Sequence, residues 1–348
     1  MTIYEATQHG KDAIGQHETR LLLSHITGLD QVGLLLNDTK PLSIPSKEAF
    51  FAAINRRIAN EPLQYILGWW EFMGLAMKTD PRALIPRPET ELLVEEALAF
   101  IKNIAARKTN THISQTLTHA NAKNRQDRSK QDKSKQDKSK HNKNKCTIKV
   151  LDVCTGSGCI AVAIAKLAVH ISATCDINVD VTAIDISHDA LALAKENAVS
   201  NQVSDKIHFM QSDLLDGLDI FAHPSSHGSD TLEHLFTSSV NTFSNPFTYD
   251  LIISNPPYIP TAELKGLKPE LDHEPKLALD GGKDGLDLYR RLIPQTIKHL
   301  APDGALMLEI GPKAVEAITK AAGYGIVKVL SDYAGLDRMI IAHKTKFG

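Results

Sequence analysis

Two hydrophobic rhythms divide the chain. Over residues 1–75 apolar side chains recur at helical spacing, in Thr19–Leu23 and again at Ala49, Phe50, Ala53, Ile54 and Ile58. That spacing predicts a small helical unit. Pro45-Ser46-Lys47-Glu48 reads as a helix start with Ser46 as the N-cap, and Pro62 ends or redirects that helix. Gly68, Gly74 and Pro81 punctuate a short extended stretch, and a helix follows the turn Pro86-Arg87-Pro88, running from Glu89 to Ile104. Residues 76–106 are therefore a connecting segment and helix. From residue 146 to 348 the pattern changes. Apolar runs at Ile148–Val153, Val181–Ile184, Ile207–Gln211, Leu251–Ser254, Ala305–Ile310, Ile326–Leu330 and Met339–Ala342 read as strands. Helical stretches at Ile160–Ala168 and Asp189–Val199 lie between the first of them. Such alternation predicts an α/β domain with a mostly parallel sheet covered on both faces. Ligands of such sheets sit at the carboxyl ends of the strands.

Two stretches break the pattern. Residues 107–145 carry twelve basic and three acidic residues and include three tandem pentamers, QDRSK and then QDKSK twice, ending at Lys140. No Val, Leu, Ile or aromatic residue lies between Leu117 and Ile148. A segment that cannot bury apolar surface is expected to stay disordered, as a tolerated insertion. Its net charge of +9 leaves −11 on the remaining 309 residues. A tether to RNA or ribosomes is the rival reading, weakened by the lack of aromatic residues for base stacking. Residues 222–248 form a second, polar loop expansion. Its histidines, His223, His227 and His234, match no closed metal spacing, so no metal is expected.

Composition narrows the class. With 348 residues and a net charge of −2, the chain is long enough for two domains and is not a wholly basic nucleic-acid binder. No apolar run approaches the length of a membrane span, and the first residues lack a secretory signal. The four cysteines contain no CxxC pair, so a cytoplasmic location is expected.

The first strand of the second region ends Asp152-Val153-Cys154-Thr155-Gly156-Ser157-Gly158. The two glycines let the backbone approach a ligand, and the following helix offers free N–H groups. Asp185, at the end of the second strand, is placed to accept both hydroxyls of a ribose, which points to an adenosine-containing cofactor. The run Gly156–Ala161 also fits a dinucleotide fingerprint, so an NAD-dependent oxidoreductase must be weighed. Asp213 could accept an adenine amine or cap a helix. The sharpest signal is Asn255-Pro256-Pro257-Tyr258 after the fourth strand. It makes a rigid loop with one amide, one free carbonyl and one ring. The Asn255 side-chain oxygen and the Pro256 carbonyl could each accept an N–H of a planar –NH2 group while Tyr258 packs on its flat face. An ordinary Asn-Pro turn is the plain alternative.

These residues resemble a class I S-adenosylmethionine-dependent methyltransferase that modifies a planar nitrogen. Two groups carry such a loop, the adenine-N6 methyltransferases and the protein glutamine N5-methyltransferases of peptide chain release factors (the PrmC/HemK family). Glu61–Gly68, Glu71-Phe72, Leu84–Glu91, Leu308–Gly311 and Asp332–Arg338 look like the second group. The resemblance implies a Rossmann-like domain with a seven-stranded, mostly parallel sheet, preceded by a small all-α domain that docks the release factor. It implies S-adenosyl-L-methionine as cofactor, with Cys154, Thr155, Gly156, Ser157 and Gly158 as its loop, Asp185 on the ribose, and Asp213 and Leu214 by the adenine. Asn255 would touch cofactor and substrate, and Asn255, Pro256, Pro257 and Tyr258 would hold the glutamine of the Gly-Gly-Gln loop. Three positions depart from the family pattern: Cys154 stands for a usual Gly, Leu214 for an aromatic, and Pro312-Lys313-Ala314 lacks a usual glutamine. They bear on cofactor affinity. Adenine methylation fits less well, because the folded part is acidic and no target-recognition domain follows the core. Sequence-specific nucleic-acid binding is therefore not expected. A binding module without turnover is a third option.

Overall fold

A computed structural model describes residues 1–126, 146–218, 248–332 and 334–344, with the main chain alone over 110–126. The N-terminal unit holds five helices among these residues: α1 (Ile3–Ile14), α2 (Gln16–Thr27), α3 (Gln31–Leu36), α4 (Ile44–Ile58) and α5 (Leu63–Leu67). Their ends follow from local chemistry. Thr2 and Glu5 form a reciprocal capping box on α1, and Gly28 and Gly68 end α2 and α5 at φ 69° and 76°. The cap of α4 is Ser43, whose hydroxyl accepts from the Ser46 N–H at 3.2 Å, and not Ser46 as the sequence suggested. Pro45 tolerates a place in the first turn because an N–H there would be unpaired anyway. Leu22, Leu23, Phe50, Ile54, Leu63 and Leu67 form a core separate from that of the sheet.

Strands β1 (Trp69–Phe72) and β2 (Leu75–Lys78) pair as a hairpin. Its turn, Met73-Gly74, has φ 54° and 72°, and the Met73 N–H donates to Glu91 Oε1 at 2.7 Å. The helix α6 (Pro88–Gln126) starts on a proline, as expected, but does not stop at Ile104. No Gly or Pro interrupts it, so no stop signal exists in that stretch. It enters the basic stretch expected to lack structure. Lys108 pairs with Asp250 at 2.8 Å and Thr109 Oγ1 donates to the Cys175 carbonyl at 3.1 Å, so the folded domain extends at least to Thr109. The pentamers lie outside the described residues. So does the polar stretch 222–248 except its last residue, with His223, His227 and His234.

The C-terminal domain carries seven strands in one sheet: β3 (Cys146–Val153), β4 (Ile177–Asp185), β5 (Ile207–Gln211), β6 (Tyr249–Ser254), β7 (Leu300–Glu309), β8 (Tyr324–Ser331) and β9 (Asp337–Lys344). Their order is β5-β4-β3-β6-β7-β9-β8, parallel except that β9 runs against both β7 and β8. Helices α7 (Cys159–Cys175), α8 (His188–Ser200), α9 (Asp287–His299) and α10 (Val315–Ala321) accompany them. All six residues of β6 are buried, as a strand covered on both faces requires. From β3 the chain steps outward to β4 and β5, then returns to β6 on the other side. The carboxyl ends of β3 and β6, register partners at Val153 and Ser254, therefore meet at the switch point where a ligand crevice forms. Among the described residues no helix is long and apolar enough to cross a membrane.

Candidate functional site

The crevice is built from two turns. The first leaves β3 at Cys154. Its backbone takes left-handed values at Cys154 (φ 59°), Gly156 (55°) and Gly158 (79°). Such values are ordinary for glycine and strained for cysteine, and strain of this kind gathers at functional sites. At Gly158 a Cβ would come within 2.8 Å of Ala194, so this glycine also lets α7 and α8 approach. Two carboxylates hold the turn. Asp152 Oδ2 accepts from the Thr155 hydroxyl at 2.6 Å and the Ala161 N–H at 3.2 Å. Its side chain is fully buried, and burial pushes its carboxyl up to about 7. Asp185 accepts from the Gly156 N–H and the Ser187 N–H, both at 2.9 Å. Burial raises its pKa, and those N–H groups pull it back.

A cavity opens over this turn. Cys154, Thr155, Gly156, Ser157, Asp185 and Asn255 line it together with Leu84, Ile85 and Arg87 from the segment before α6. The chemistry fits an adenosyl cofactor. Asp185 faces it as a part-exposed carboxylate pre-oriented by two N–H groups. Burial raises the Cys154 and Cys159 thiols, so neither is an activated nucleophile. Asp213 and Leu214 stand elsewhere. Asp213 forms an exposed ion pair with Arg291 at 2.8 Å and does not line this cavity. Leu214 is 5% exposed, with φ 51°, and packs into the core beside Val153 and Ile184.

The second turn leaves β6 at Ser254, whose hydroxyl donates to the Val153 carbonyl at 2.7 Å and ties the two turns together. Asn255 and Pro257, with Leu84, Ile85, Arg87 and Ala278, line both the first cavity and a second one. Pro256, Tyr258 and Glu309 line the second cavity alone, facing Arg57 of the helical unit. Arg57 spans the two domains through Glu18 at 2.7 Å and Glu270 at 3.0 Å. The Pro256 carbonyl has no hydrogen-bond partner among the described residues.

Residues far away in sequence hold this loop. The Asn255 Nδ2 donates to Thr90 Oγ1 at 3.2 Å, and the Thr90 hydroxyl donates to Glu309 Oε2 at 2.6 Å. The Tyr258 hydroxyl lies 3.5 Å from Glu309 Oε1, and burial pushes it up to about 12. Three glycines make room for Tyr258. A Cβ on Gly281 would come 2.7 Å from its Cα, one on Gly285 2.3 Å from its carbonyl oxygen, and one on Gly311 2.5 Å from its ring. Thr90, Glu309 and Gly311 lie in stretches that carry the resemblance, but nothing local gives them a role. Gly281 and Gly285 were missed; the run Asp280-Gly281-Gly282-Lys283-Asp284-Gly285 is a turn signal that could have found them.

A seven-stranded sheet of this order, with a cofactor-type turn and a planar-nitrogen loop side by side at its switch point, defines a class I S-adenosylmethionine-dependent methyltransferase. Residues 6–68 match the PrmC N-terminal domain and residues 144–227 a methyltransferase domain. A release factor glutamine methyltransferase of Geobacter sulfurreducens is 35% identical over 327 residues, covering 93% of this chain and 87% of that one. One of Thermodesulfovibrio yellowstonii is 32% identical over 338 residues, covering 94% and 92%. The solved hMettl16 catalytic domain in complex with an RNA hairpin reaches a TM-score of 0.47 at 13% identity, covering 88% of this chain and 84% of that one, a likeness too slight to bear on the acceptor. The chain belongs to the release factor glutamine methyltransferase family. It is an S-adenosylmethionine-dependent enzyme of the protein-glutamine class, and the oxidoreductase and adenine readings give way to this one.

Proposed function

We propose that the loop Asn255–Tyr258 takes the side-chain amide of the Gly-Gly-Gln glutamine of a peptide chain release factor and that methyl transfer occurs on its N5 through this loop. One observation carries the reading: Asn255 and Pro257 line two cavities at once, one over the cofactor-type turn and one open toward the helical unit. An acceptor nitrogen entering from the second cavity meets the loop where the first begins.

When bound, S-adenosylmethionine supplies a methyl group on a sulfonium sulfur, a strong electrophile. Asp185 would hold the ribose hydroxyls, the turn Cys154–Gly158 the amino-acid end, and Asn255 the boundary between cofactor and substrate. An amide nitrogen is a weak nucleophile because its lone pair is delocalised. Asn255 Oδ1 and the Pro256 carbonyl would each accept one of its N–H groups, aligning the nitrogen and stabilising the charge that develops there. Pro257 keeps the loop stiff, and the Tyr258 ring packs on the flat face of the amide. No general base is needed to begin, since the proton leaves after charge has built on nitrogen. The helical unit would dock the release factor, in the cytoplasm, and no sequence-specific nucleic acid takes part. Asp213, paired with Arg291, is left out of the adenine site.

The test is incubation with methyl-labelled S-adenosylmethionine, a release factor and a DNA duplex together. Label on the glutamine of the release factor is the expected result. Label on the duplex, or none on the release factor, would overturn the assignment of the acceptor.

A further inference from the structure

An asparagine side chain carries a donor end and an acceptor end, and only its partners decide which way it faces. Asn255 Nδ2 sits 3.2 Å from Thr90 Oγ1, and Thr90 Oγ1 sits 2.6 Å from Glu309 Oε2. An ionised carboxylate accepts and never donates. The single hydroxyl proton of Thr90 therefore goes to Glu309, and the Thr90 oxygen is left to accept from Asn255. The nitrogen end of Asn255 is held in this relay and the oxygen end is released to the site. A protonated Glu309 reverses the order. It donates to Thr90, the Thr90 hydroxyl turns to donate to Asn255, and the asparagine offers its –NH2 to an incoming N–H, which it repels.

We propose that Glu309 is a positioning residue of the acceptor site: through Thr90 its carboxylate sets the polarity of the Asn255 amide, so that the oxygen meets the acceptor nitrogen. This rests on the reading of Asn255 as an acceptor for the substrate amide.

The setting makes the relay responsive to pH. Glu309 ends β7 and is 3% exposed. Burial pushes its carboxyl up to about 7 against the hydrogen bond from Thr90; Glu89 adds to the rise, while Arg338 and Tyr258 oppose it. Of the other groups packed around it, Tyr289 donates to its main-chain carbonyl at 2.8 Å, and the thiol of Cys159 lies within its field. Asn255 is held the right way round above about pH 7 and loses that hold below it. Glu309 then contributes an acid limb to kcat at saturating cofactor, beside Asp152 of the first turn, whose buried carboxyl is also pushed up to about 7.

The experiment has two readouts on the full chain. The first is the kcat profile for a release factor between pH 5.5 and 8.5 in the parent and in Thr90→Val, Thr90→Ser and Glu309→Gln, with cofactor affinity and melting temperature measured alongside. Thr90→Val should lower kcat about ten- to hundredfold with cofactor affinity unchanged, on the scale of losing one oriented polar contact. Thr90→Ser keeps the hydroxyl and should stay near the parent. Glu309→Gln cannot ionise and offers one acceptor oxygen where Thr90 and Tyr258 each meet one, so kcat should fall at pH 8.5 and the part of the acid limb that Glu309 supplies should be lost. The second readout needs no acceptor: the side-chain amide signal of Asn255 in the 15N-labelled protein, assigned by its absence in Asn255→Ala. It should titrate with pH in the parent and stay flat in Glu309→Gln and in Thr90→Val. Parent-like rates in Thr90→Val, an acid limb of kcat unchanged in Glu309→Gln, or an Asn255 signal indifferent to pH overturns the proposal. A titrating signal together with an unlabelled release factor would leave the relay standing and remove the acceptor assignment alone.

Discussion

The two turns at the switch point stand side by side and are held by opposite means. The turn after β3 is held from within and by two elements that follow it, β4 and α8, where Asn197 Nδ2 donates to the Ser157 carbonyl at 2.9 Å. Asp152 reaches Thr155 and Ala161, three and nine residues away, and Asp185 reaches Gly156 and Ser187. Its shape comes from glycine freedom and main-chain N–H groups. The loop after β6 supports little of itself. Asn255 is held by Thr90, 165 residues earlier, and Tyr258 approaches Glu309, 51 residues later. The glycines that admit Tyr258 come from positions 281, 285 and 311. Under the proposed function the difference would suit the two ligands: a small cofactor of constant shape would be met by a locally built turn, and a protein side chain from a large partner at a boundary where several segments converge.

That contrast can be broken or sharpened. Removal of the Asn255 side chain should have the largest effect: Asn255→Ala is expected to lower methyl transfer by about 10²–10³ while the protein stays folded. A folded variant working at the parent rate would take the loop out of the chemistry. Asp185→Ala strikes the other turn. It loses contacts worth about 1.5–3 kcal/mol each before compensation, so affinity for S-adenosylmethionine, read by titration calorimetry, should fall about ten- to hundredfold. The loop after β6 should be untouched. Gly311→Ala tests the convergence. Its Cβ would press on the Tyr258 ring at 2.5 Å, and overpacking of this kind costs about 1–3 kcal/mol. Turnover should drop about tenfold with cofactor affinity preserved. A fall in cofactor affinity equal to the fall in turnover would show that the two turns are not independently held. The smallest effect belongs to the basic stretch. Lys108 Nζ already lies 3.3 Å from the Thr147 carbonyl, so a short Gly-Ser bridge in place of residues 110–144 spans little distance. Melting temperature should stay within the change expected of a surface substitution, about 0.5 kcal/mol. Activity lost at low salt with normal cofactor binding would show that the charge of this segment recruits substrate.

Legibility followed the same division. The strand-to-helix alternation, the glycine turn, Asp152, Asp185 and the Asn255–Tyr258 loop could all be read from residues close together in the chain. Asp213 could not: its carboxylate is taken by Arg291, 78 residues away, which no local pattern announces. Ser46 looked like a cap, but Pro45 fits inside the first turn and the cap moved to Ser43. The helix from Pro88 outran its apolar stripe because polar residues without Gly or Pro do not stop a helix.

The sequence by itself determined the α/β architecture, the helical unit before it and where both turns lie. These rest on periodicity and on φ values that glycine permits. Only the tertiary structure decided which side chains support Asn255 and Tyr258, and that one loop forms a wall of two cavities. Thr90 and Glu309 are ordinary residues in their own segments. They acquire a role because β6 and β7 pair side by side and the start of α6 crosses their ends, and the buried surroundings then set the charge that Glu309 carries.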